Sequence, residues 1–424
     1  MRTLLVKVVR RIFAYAGVTV IGRATLGEVV ARLWQGPARP ALTGPEWSQL
    51  LQLRGQLGQA LSAPVVDAAP QPVVVPAFPA QDPATASLLQ LPAVDLPKRL
   101  DALSGRLLAR SADAPESADR LRALAQFYAA SATLVSRYPS PLHDALPPDD
   151  NGTAEDAIRA GVWIPGNEVE VTGEQVVAPW RLLFDDPETG VFLVMGQSNA
   201  ANHGDRRHTA NDRVFSFDFF RVQATVASDP LPGASGSGGS VWTRLGDRLI
   251  NEGVFKRVLF IPIAFGGTYV ADWAPNGSMN RRTAFALGRL RRALGTRIIN
   301  VSAVLWQQGE AEANHTTMSA EQYQHAFQEV VADLRARGVF APVMAACSTL
   351  CEAGERTHDN ADEIRKALRG LDDPASGLLR GPDTDVIGHE DRYDRCHLAD
   401  SGLSRCADLW FAAIRRDRPL LEKL

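Results

Sequence analysis

The sequence predicts an α/β fold in which a parallel sheet is covered by helices on both faces, preceded by a largely helical and proline-rich N-terminal region. Two observations support this fold class. From about residue 188, apolar runs of strand length alternate with helical patterns, as expected for parallel strands joined by helices. Before that point the chain shows helical periodicity and a proline-dense stretch instead.

Composition excludes several classes of protein. The chain has 424 residues, a length typical of two or three domains. Its 45% hydrophobic and 22% charged residues exclude a wholly disordered protein. No uncharged apolar stretch reaches the roughly 18 residues of a spanning helix, which excludes a multi-pass membrane protein. The net charge of −3 provides no basic surface, so no nucleic-acid partner is expected.

Residues 1–36 form a basic, apolar segment with six basic residues and one acidic residue. An uncharged run from Ile12 to Gly22 follows four of the basic residues, as in a signal peptide or a short membrane anchor. The alternative is a basic amphipathic helix that packs on the protein or lies on a membrane surface. The first interpretation favours a periplasmic, secreted or membrane-anchored location over the cytoplasm, with membrane association through residues 1–36.

Four cysteines lie in the last quarter of the chain. An even number in one region predicts either two disulfides of an oxidising compartment or four free buried thiols. The cysteines are Cys347, Cys351, Cys396 and Cys406.

The rest of the chain divides by composition. Residues 37–97 are a Pro/Ala-rich connector, with six prolines between Pro64 and Pro83, a density that a helix cannot accommodate. Residues 98–187 are a helical and irregular accessory region, residues 188–415 the main α/β domain, and residues 416–424 a tail. In the accessory region, apolar residues recur at three-to-four spacing and Pro115 divides the pattern into two helices; these residues are Leu100, Leu103, Leu107, Leu121, Leu124 and Phe127.

Strands and helices of the main domain follow from the same patterns. A capping box at Ser319–Gln322 begins one helix, which ends at Gly338. The predicted strands are Val191–Met195, Val258–Phe265, Val301–Trp306 and Val339–Ala346, and the predicted helices lie near 241–251, 283–294, 320–337 and 401–415.

Polar motifs follow the first three of these strands, where sites form in parallel sheets. Gly196-Gln-Ser198-Asn-Ala200 places a serine in a turn between strand and helix, as an exposed nucleophile requires. Gly266-Gly267-Thr268 leaves backbone N–H groups available to a ligand. Each motif alone is also typical of an ordinary loop or turn.

Two further motifs supply a side-chain amide and an acid–base pair. Trp306-Gln-Gln308-Gly-Glu310-Ala-Glu312 ends the third strand, and its amide is suited to stabilise an oxyanion. Asp394-Arg-Cys-His397 precedes the last helix. A carboxylate three residues before a histidine can reach Nδ1 and orient the ring as a base for serine.

In this order the four motifs resemble those of the SGNH-type (GDSL-like) hydrolases, and among them the carbohydrate esterases similar to sialate O-acetylesterase. The resembling blocks are GQSN at 196–199, GGT at 266–268 with a following Trp273, WxQGE at 306–310 and DxxH at 394–397. Glu312 stands where that family usually has Asp, and Ala200 where Met is common. The resemblance covers residues 188–415 and implies a three-layer, flavodoxin-like α/β/α domain.

The resemblance also implies roles for individual residues. Ser198 is the expected nucleophile, His397 the general base and Asp394 the carboxylate that orients it. The expected oxyanion donors are the N–H groups of Ser198 and of Gly266 or Gly267, with the Gln308 side chain. Supporting residues are Gln197, Asn199 and Glu310. Apart from the resemblance, two residues are candidate substrate contacts: Trp273 either stacks on a sugar ring or packs the glycine loop, and His203 either lines the substrate cleft or lies in a solvated loop. No metal or organic cofactor is required.

The resulting hypothesis is a serine esterase that hydrolyses O-acetyl esters of a carbohydrate through an acyl-enzyme on Ser198. A carbohydrate O-acetyltransferase would use the same acyl-enzyme, with a sugar hydroxyl in place of water. An inactive carbohydrate-binding or scaffold protein is the third interpretation. The intact serine, aspartate and histidine argue against it.

Overall fold

The computed structural model describes residues 96–137, 180–295, 298–352 and 356–424. The signal- or anchor-like segment predicted at 1–36 and nearly all of the connector predicted at 37–97 lie outside these residues. Within the described ranges, no helix has both the length and the apolar composition that crossing a membrane requires.

From β1 onward, helices separate all the strands except the first three, which follow one another with only a 3₁₀ turn between β1 and β2. The helices are α1 (Leu96–Asp113), α2 (Ala118–Arg137), α3 (Trp180–Asp185), α4 (Val241–Asn251), α5 (Val270–Trp273), α6 (Asn280–Leu294), α7 (Glu310–His315), α8 (Ala320–Ala336), α9 (Ala361–Arg369) and α10 (Asp400–Asp417). The strands are β1 (Thr189–Gly196), β2 (Val214–Asp218), β3 (Gln223–Val226), β4 (Arg257–Pro262), β5 (Ala303–Gln307), β6 (Val343–Cys347) and β7 (Leu378–Asp383).

The seven strands form one sheet in the order β3-β2-β4-β1-β5-β6-β7. All neighbouring pairs are parallel except β2 and β3, which are antiparallel at one edge. Strand β1 lies at the centre, where Leu193 pairs with Ile261 on one side and Val304 on the other. The carboxyl ends of β1, β4 and β5 therefore meet at one edge of the sheet. This confirms the predicted fold class.

Two hydrophobic cores lie on opposite faces of the sheet. Side chains alternate between faces along a strand, so Val191 and Leu193 of β1 contribute to one core while Phe192 and Val194 contribute to the other. The first core also contains buried residues of α3, α6, α8 and α9. The second contains those of α1, α2, α4 and α10. The sheet is thus covered on both sides, which makes the three layers.

Helices α1 and α2 form a hairpin whose predicted leucines are buried while Phe127 is only partly buried, and a short 3₁₀ turn that begins at Pro115 separates them. The buried leucines are those with helical spacing in the sequence, namely Leu100, Leu103, Leu107, Leu121 and Leu124. The last residues of the chain hold this hairpin. Arg99 Nη2 donates to the Leu424 carbonyl at 2.6 Å, and Arg110 Nη1 donates to the Pro419 carbonyl at 3.1 Å.

Candidate active site

The turn after β1 holds Ser198. Gly196 ends the strand with φ of 126°, and an added Cβ there would overlap the Gln307 backbone of the neighbouring strand β5. Only glycine fits this close approach without strain. Residues Ser198–Ala200 then form a 3₁₀ turn. The serine therefore sits at the carboxyl edge of the central strand, where it is 5% exposed.

Asp394 and His397 form an ordered pair in the loop before α10. Asp394 Oδ2 lies 2.6 Å from His397 Nδ1, and Oδ1 accepts from the backbone N–H of His397 at 2.6 Å and of Cys396 at 3.0 Å. Burial raises the pKa of Asp394, but the hydrogen bonds from His397 outweigh it and hold that pKa below its usual value. A carboxylate only accepts, so Nδ1 carries the proton and Nε2 is left as the basic nitrogen.

Contacts between neighbouring residues bring the serine turn and the histidine loop together. Asn199 Nδ2 donates to the Cys396 carbonyl at 3.3 Å, which joins the residues next to Ser198 and His397. Ser198 Oγ itself makes no hydrogen bond to any residue that the structure describes. Catalytic hydrogen bonds often tighten only when substrate is bound.

The backbone donors around Ser198 differ in availability. Among the described residues, the N–H groups of Ser198 and Gly267 have no acceptor. The N–H of Gly266 already donates to Ser235 Oγ at 2.7 Å. Gly267 adopts φ of 71°. Of the two predicted glycine donors, Gly267 is thus the one whose N–H has no acceptor among the described residues.

Gln308 differs from its predicted role as an oxyanion donor. Its side chain is fully buried, and Nε2 lies 3.1 Å from the Thr268 carbonyl and 3.2 Å from Gln197 Oε1, with a further bond to Glu312. Gln308 Oε1 accepts from the Tyr323 hydroxyl at 2.7 Å. Both ends of the amide are therefore occupied, and the side chain joins the end of β5 to the glycine loop.

Two buried glutamates lie below the site. Glu310 Oε1 accepts from Asn199 Nδ2 and from Ser348 Oγ, each at 2.8 Å, while Oε2 has no partner within the described chain. Glu312 accepts from the Val270 N–H. Burial is the main cause that raises the pKa of each glutamate to about 7. The predicted supporting residues therefore join the turn of Ser198 to the loop after β5. Asn199 bonds Glu310, and Gln197 accepts from the backbone N–H next to Glu310.

Trp273 packs inside the glycine loop, which agrees with the second of the two interpretations that the sequence left open. The side chain is 1% exposed, packs edge-on against Trp306 with ring centroids 6.0 Å apart, and donates Nε1–H to Thr268 Oγ1 at 3.0 Å. An aromatic ring enclosed in this way stabilises the glycine loop from inside. It offers no face to a carbohydrate.

Two rings flank the candidate base instead. His203 stacks on His397 with centroids 5.4 Å apart, and its Nε2 lies 3.0 Å from Ser235 Oγ. Tyr393 stacks against His397 with centroids 6.0 Å apart, is 54% exposed, and donates its hydroxyl to the His203 carbonyl at 3.1 Å. Sequence reasoning named His203 but missed Tyr393. The sequence feature that could have identified Tyr393 is its position four residues before His397.

The cysteines form one disulfide, Cys351–Cys396, and leave two buried thiols, Cys347 and Cys406. The sequence left open either two disulfides or four free thiols, and the structure has one disulfide and two free thiols. Burial raises the pKa of each free thiol to about 12.

Cys347 also lies near two carboxylates in the sort of cluster that could ligate a metal ion. Its sulfur and oxygens of Asp383 and Asp385 lie within 4.8 Å of one another. However, the Asp385 carboxylate already accepts from Thr349 and from the Arg365 guanidinium, at 2.6 Å and 3.0 Å. The cluster is therefore explained as a charge-paired support for the loop after β6.

Comparison with solved structures finds similar chains. A protein from Arabidopsis thaliana is 18% identical, with a TM-score of 0.43, and the match covers 55% of this chain and 99% of that one. A carbohydrate acetylesterase from Xanthomonas citri is 17% identical, with a TM-score of 0.38 over 54% of this chain and 56% of that one. NanS is 14% identical, with a TM-score of 0.37 over 55% and 98%. No curated protein matches the sequence.

Comparison with protein families gives a match over more than half of the chain. The model described as carbohydrate esterase, sialic acid-specific acetylesterase matches residues 188–410. That range contains β1 to β7 and both loops of the candidate site. The chain therefore belongs to the sialic acid-specific acetylesterase family of carbohydrate esterases and is a carboxylic ester hydrolase.

Proposed function

We propose that the protein hydrolyses O-acetyl esters of a carbohydrate through an acyl-enzyme on Ser198. The observation that carries this proposal is the Asp394–His397 pair, joined at 2.6 Å and tied through Cys396 to the turn that holds Ser198. A serine hydroxyl is a weak nucleophile near neutral pH and needs such a base.

The proposed first step is the transfer of the acetyl group to Ser198. His397 Nε2 accepts the hydroxyl proton as Ser198 Oγ attacks the ester carbonyl. The oxyanion that forms is received by the N–H groups of Ser198 and Gly267. His397 then gives the proton to the departing sugar oxygen, and the ester C–O bond breaks.

The proposed second step releases acetate. Water, deprotonated by His397, attacks the acetyl-serine carbonyl, and the serine leaves with the proton. Asp394 stays ionised throughout, because its hydrogen bonds hold its pKa below the usual value, and it stabilises the imidazolium that forms in each step.

Acetate release tests the proposal. We expect the wild-type protein to release acetate from at least one member of a panel of acetylated monosaccharides and polysaccharides, and Ser198→Ala to release none. Ser404→Ala is the matched control, because Ser404 is an exposed serine on α10. Equal release by wild type and Ser198→Ala would show that the nucleophile is assigned wrongly.

A further inference from the structure

We propose that the Cys351–Cys396 disulfide is a positioning element of the esterase site, which holds the loop of Asp394 and His397 against the Ser198 turn so that turnover depends on the oxidised bond. The proposal rests on the proposed function, because the position of the loop affects turnover only if His397 acts as the base.

The loop from Asp394 to His397 is ordered internally by one side chain. Asp394 accepts from two backbone N–H groups and from the imidazole of the same four-residue segment. These bonds fix the aspartate and histidine relative to each other. They do not fix the pair relative to Ser198, because no partner in them lies outside the segment. Contacts that leave the loop must supply that position.

Several of the contacts that leave the loop meet at Cys396. Its carbonyl accepts from Asn199, next to the nucleophile, at 3.3 Å and also from the Arg392 guanidinium. Its sulfur is bonded to Cys351. One residue earlier, the Arg395 carbonyl accepts from the Glu352 N–H at 3.0 Å. A hydrogen bond can lengthen or exchange, whereas the disulfide sets an upper limit on how far His397 can move from β6.

The other end of the disulfide is fixed to the sheet. Cys351 lies four residues beyond the end of β6, and the intervening segment is held by Asp385, whose Oδ1 accepts from the N–H groups of Thr349 and Leu350 at 2.7 and 2.8 Å. The Cys351 carbonyl accepts from the Asn314 side chain of α7. The disulfide therefore connects the acid–base loop to a segment that is itself well anchored.

The two cysteines of the bond differ in exposure. Cys351 is partly exposed, whereas Cys396 is 2% exposed. A thiolate of an added dithiol would attack the Cys351 sulfur, and Cys396 would leave as a thiolate and take up a proton. The second thiol of the reagent then displaces Cys351, which gives two protein thiols and one cyclic disulfide of the reagent. Two electrons pass from the reagent to the protein.

The experiment reduces the full-length protein with dithiothreitol, removes the reagent by desalting because its thiols cleave aryl esters, and then uses 4-nitrophenyl acetate as the probe ester. We expect kcat to fall about 10- to 100-fold as two new thiols per chain appear, with KM nearly unchanged, because small misplacements of a catalytic group cost that much. Reoxidation should restore kcat. Far-UV circular dichroism and tryptophan fluorescence, recorded in the same samples, report whether the fold is kept.

Variants separate this disulfide from general thiol effects. Cys351→Ser/Cys396→Ser should have the low kcat of the reduced protein and no response to dithiothreitol. Cys347→Ala/Cys406→Ala, the matched control at the two free thiols, should keep the wild-type kcat and the full response. A fluorophosphonate that labels Ser198 should react more slowly with the reduced protein, because labelling also needs the histidine base.

Two outcomes would overturn the proposal. One is unchanged kcat in a protein whose two new thiols have been counted. The other is loss of kcat together with loss of the fold, which would make the bond a general staple. Neither is confused with failure of the proposed function, which would appear as Ser198-independent hydrolysis by the oxidised protein.

Discussion

The imidazole of His203 stacks on that of His397, with centroids 5.4 Å and planes 24° apart. His203 is itself held by Ser235 Oγ at 3.0 Å, and the same oxygen accepts the Gly266 N–H at 2.7 Å. The base that the proposed mechanism uses is thus supported on one face by a ring connected to the glycine loop.

His203→Ala should lower kcat by about 2- to 10-fold, since a stacked ring pair contributes about 0.5–1.5 kcal/mol and its loss allows His397 to turn. His203→Phe should keep more activity, because it retains the ring. Steady-state kinetics with a small acetate ester measures both. His208→Ala is the control, because His208 bonds Asp247 at 2.7 Å. Full activity of His203→Ala would show that the stack is dispensable.

Asp394→Asn should lower kcat by roughly 10³- to 10⁴-fold, the loss seen when a triad carboxylate becomes an amide. The amide oxygen stays with the two backbone N–H groups, so the new NH₂ group donates to Nδ1. The ring proton then sits on Nε2, and the basic nitrogen faces away from Ser198. The pKa of Asp394 lies below its usual value, so its protonation should not limit activity above about pH 4. Asp408→Asn, at an exposed carboxylate that pairs with Arg248, is the control. A wild-type rate in Asp394→Asn would show that a group other than Asp394 orients His397.

The buried Glu310 should make stability depend on pH. Burial raises its pKa from 4.5 to about 7, so the folded protein holds a proton that the unfolded chain releases between these values. This contribution is complete below about pH 4.5 and is lost as pH rises through about 7. Glu310→Gln should make this part of the profile less steep, because an amide does not titrate, whereas Glu312, whose pKa is also raised to about 7, still does.

Urea unfolding at about pH 5 and about pH 8 measures that difference. Glu252→Gln, an exposed residue at the end of α4, should unfold with the same pH dependence as the wild type. If Glu310→Gln also keeps the wild-type slope, Glu310 is not the group that titrates.

Trp273→Ala should lower the free energy of unfolding by about 3–5 kcal/mol, as for other large core residues, while KM for acetylated sugars stays unchanged in protein that remains folded. The comparison is Leu182→Ala, at an exposed side chain of α3, which should change stability by less than about 0.5 kcal/mol. Thermal and urea unfolding of the two variants provide the test. A raised KM in folded Trp273→Ala would show that Trp273 contacts the substrate despite its buried position.

The parts of the fold that were predictable are those whose local pattern matches their tertiary role. The capping box at Ser319 is present as expected, with the Gln322 N–H bound to the serine hydroxyl. Strands β1, β4, β5 and β6 were found as apolar runs, but the run from Val339 begins four residues before β6, because the residues that lead into the strand are buried too. Strands β2, β3 and β7 were not predicted. The first two are short and lie toward one edge of the sheet. The third contains Gly381 and Pro382, which interrupt the apolar pattern of a strand.

The site was predictable as a set of motifs but not as a geometry. The contact between Asp394 and His397 was predictable from their spacing, because a side chain can reach another one three residues away in the same loop. The occupied amide of Gln308 and the buried ring of Trp273 depend on partners from other loops, and no local pattern shows those. Four cysteines allow three pairings, and the observed state with one disulfide depends on where the loops after β6 and β7 meet in space.

The docking of α1 on residues 418–424 has a consequence for synthesis. The leucine face of the α1–α2 hairpin leaves the ribosome about 290 residues before the segment whose carbonyls bind Arg99 and Arg110. At about 5–20 residues per second, that interval is roughly 15–60 s. Until then the hairpin lacks the part of its core that Leu420 and Leu421 supply. Nascent chains stalled before residue 418 should therefore bind chaperones more than the released protein does.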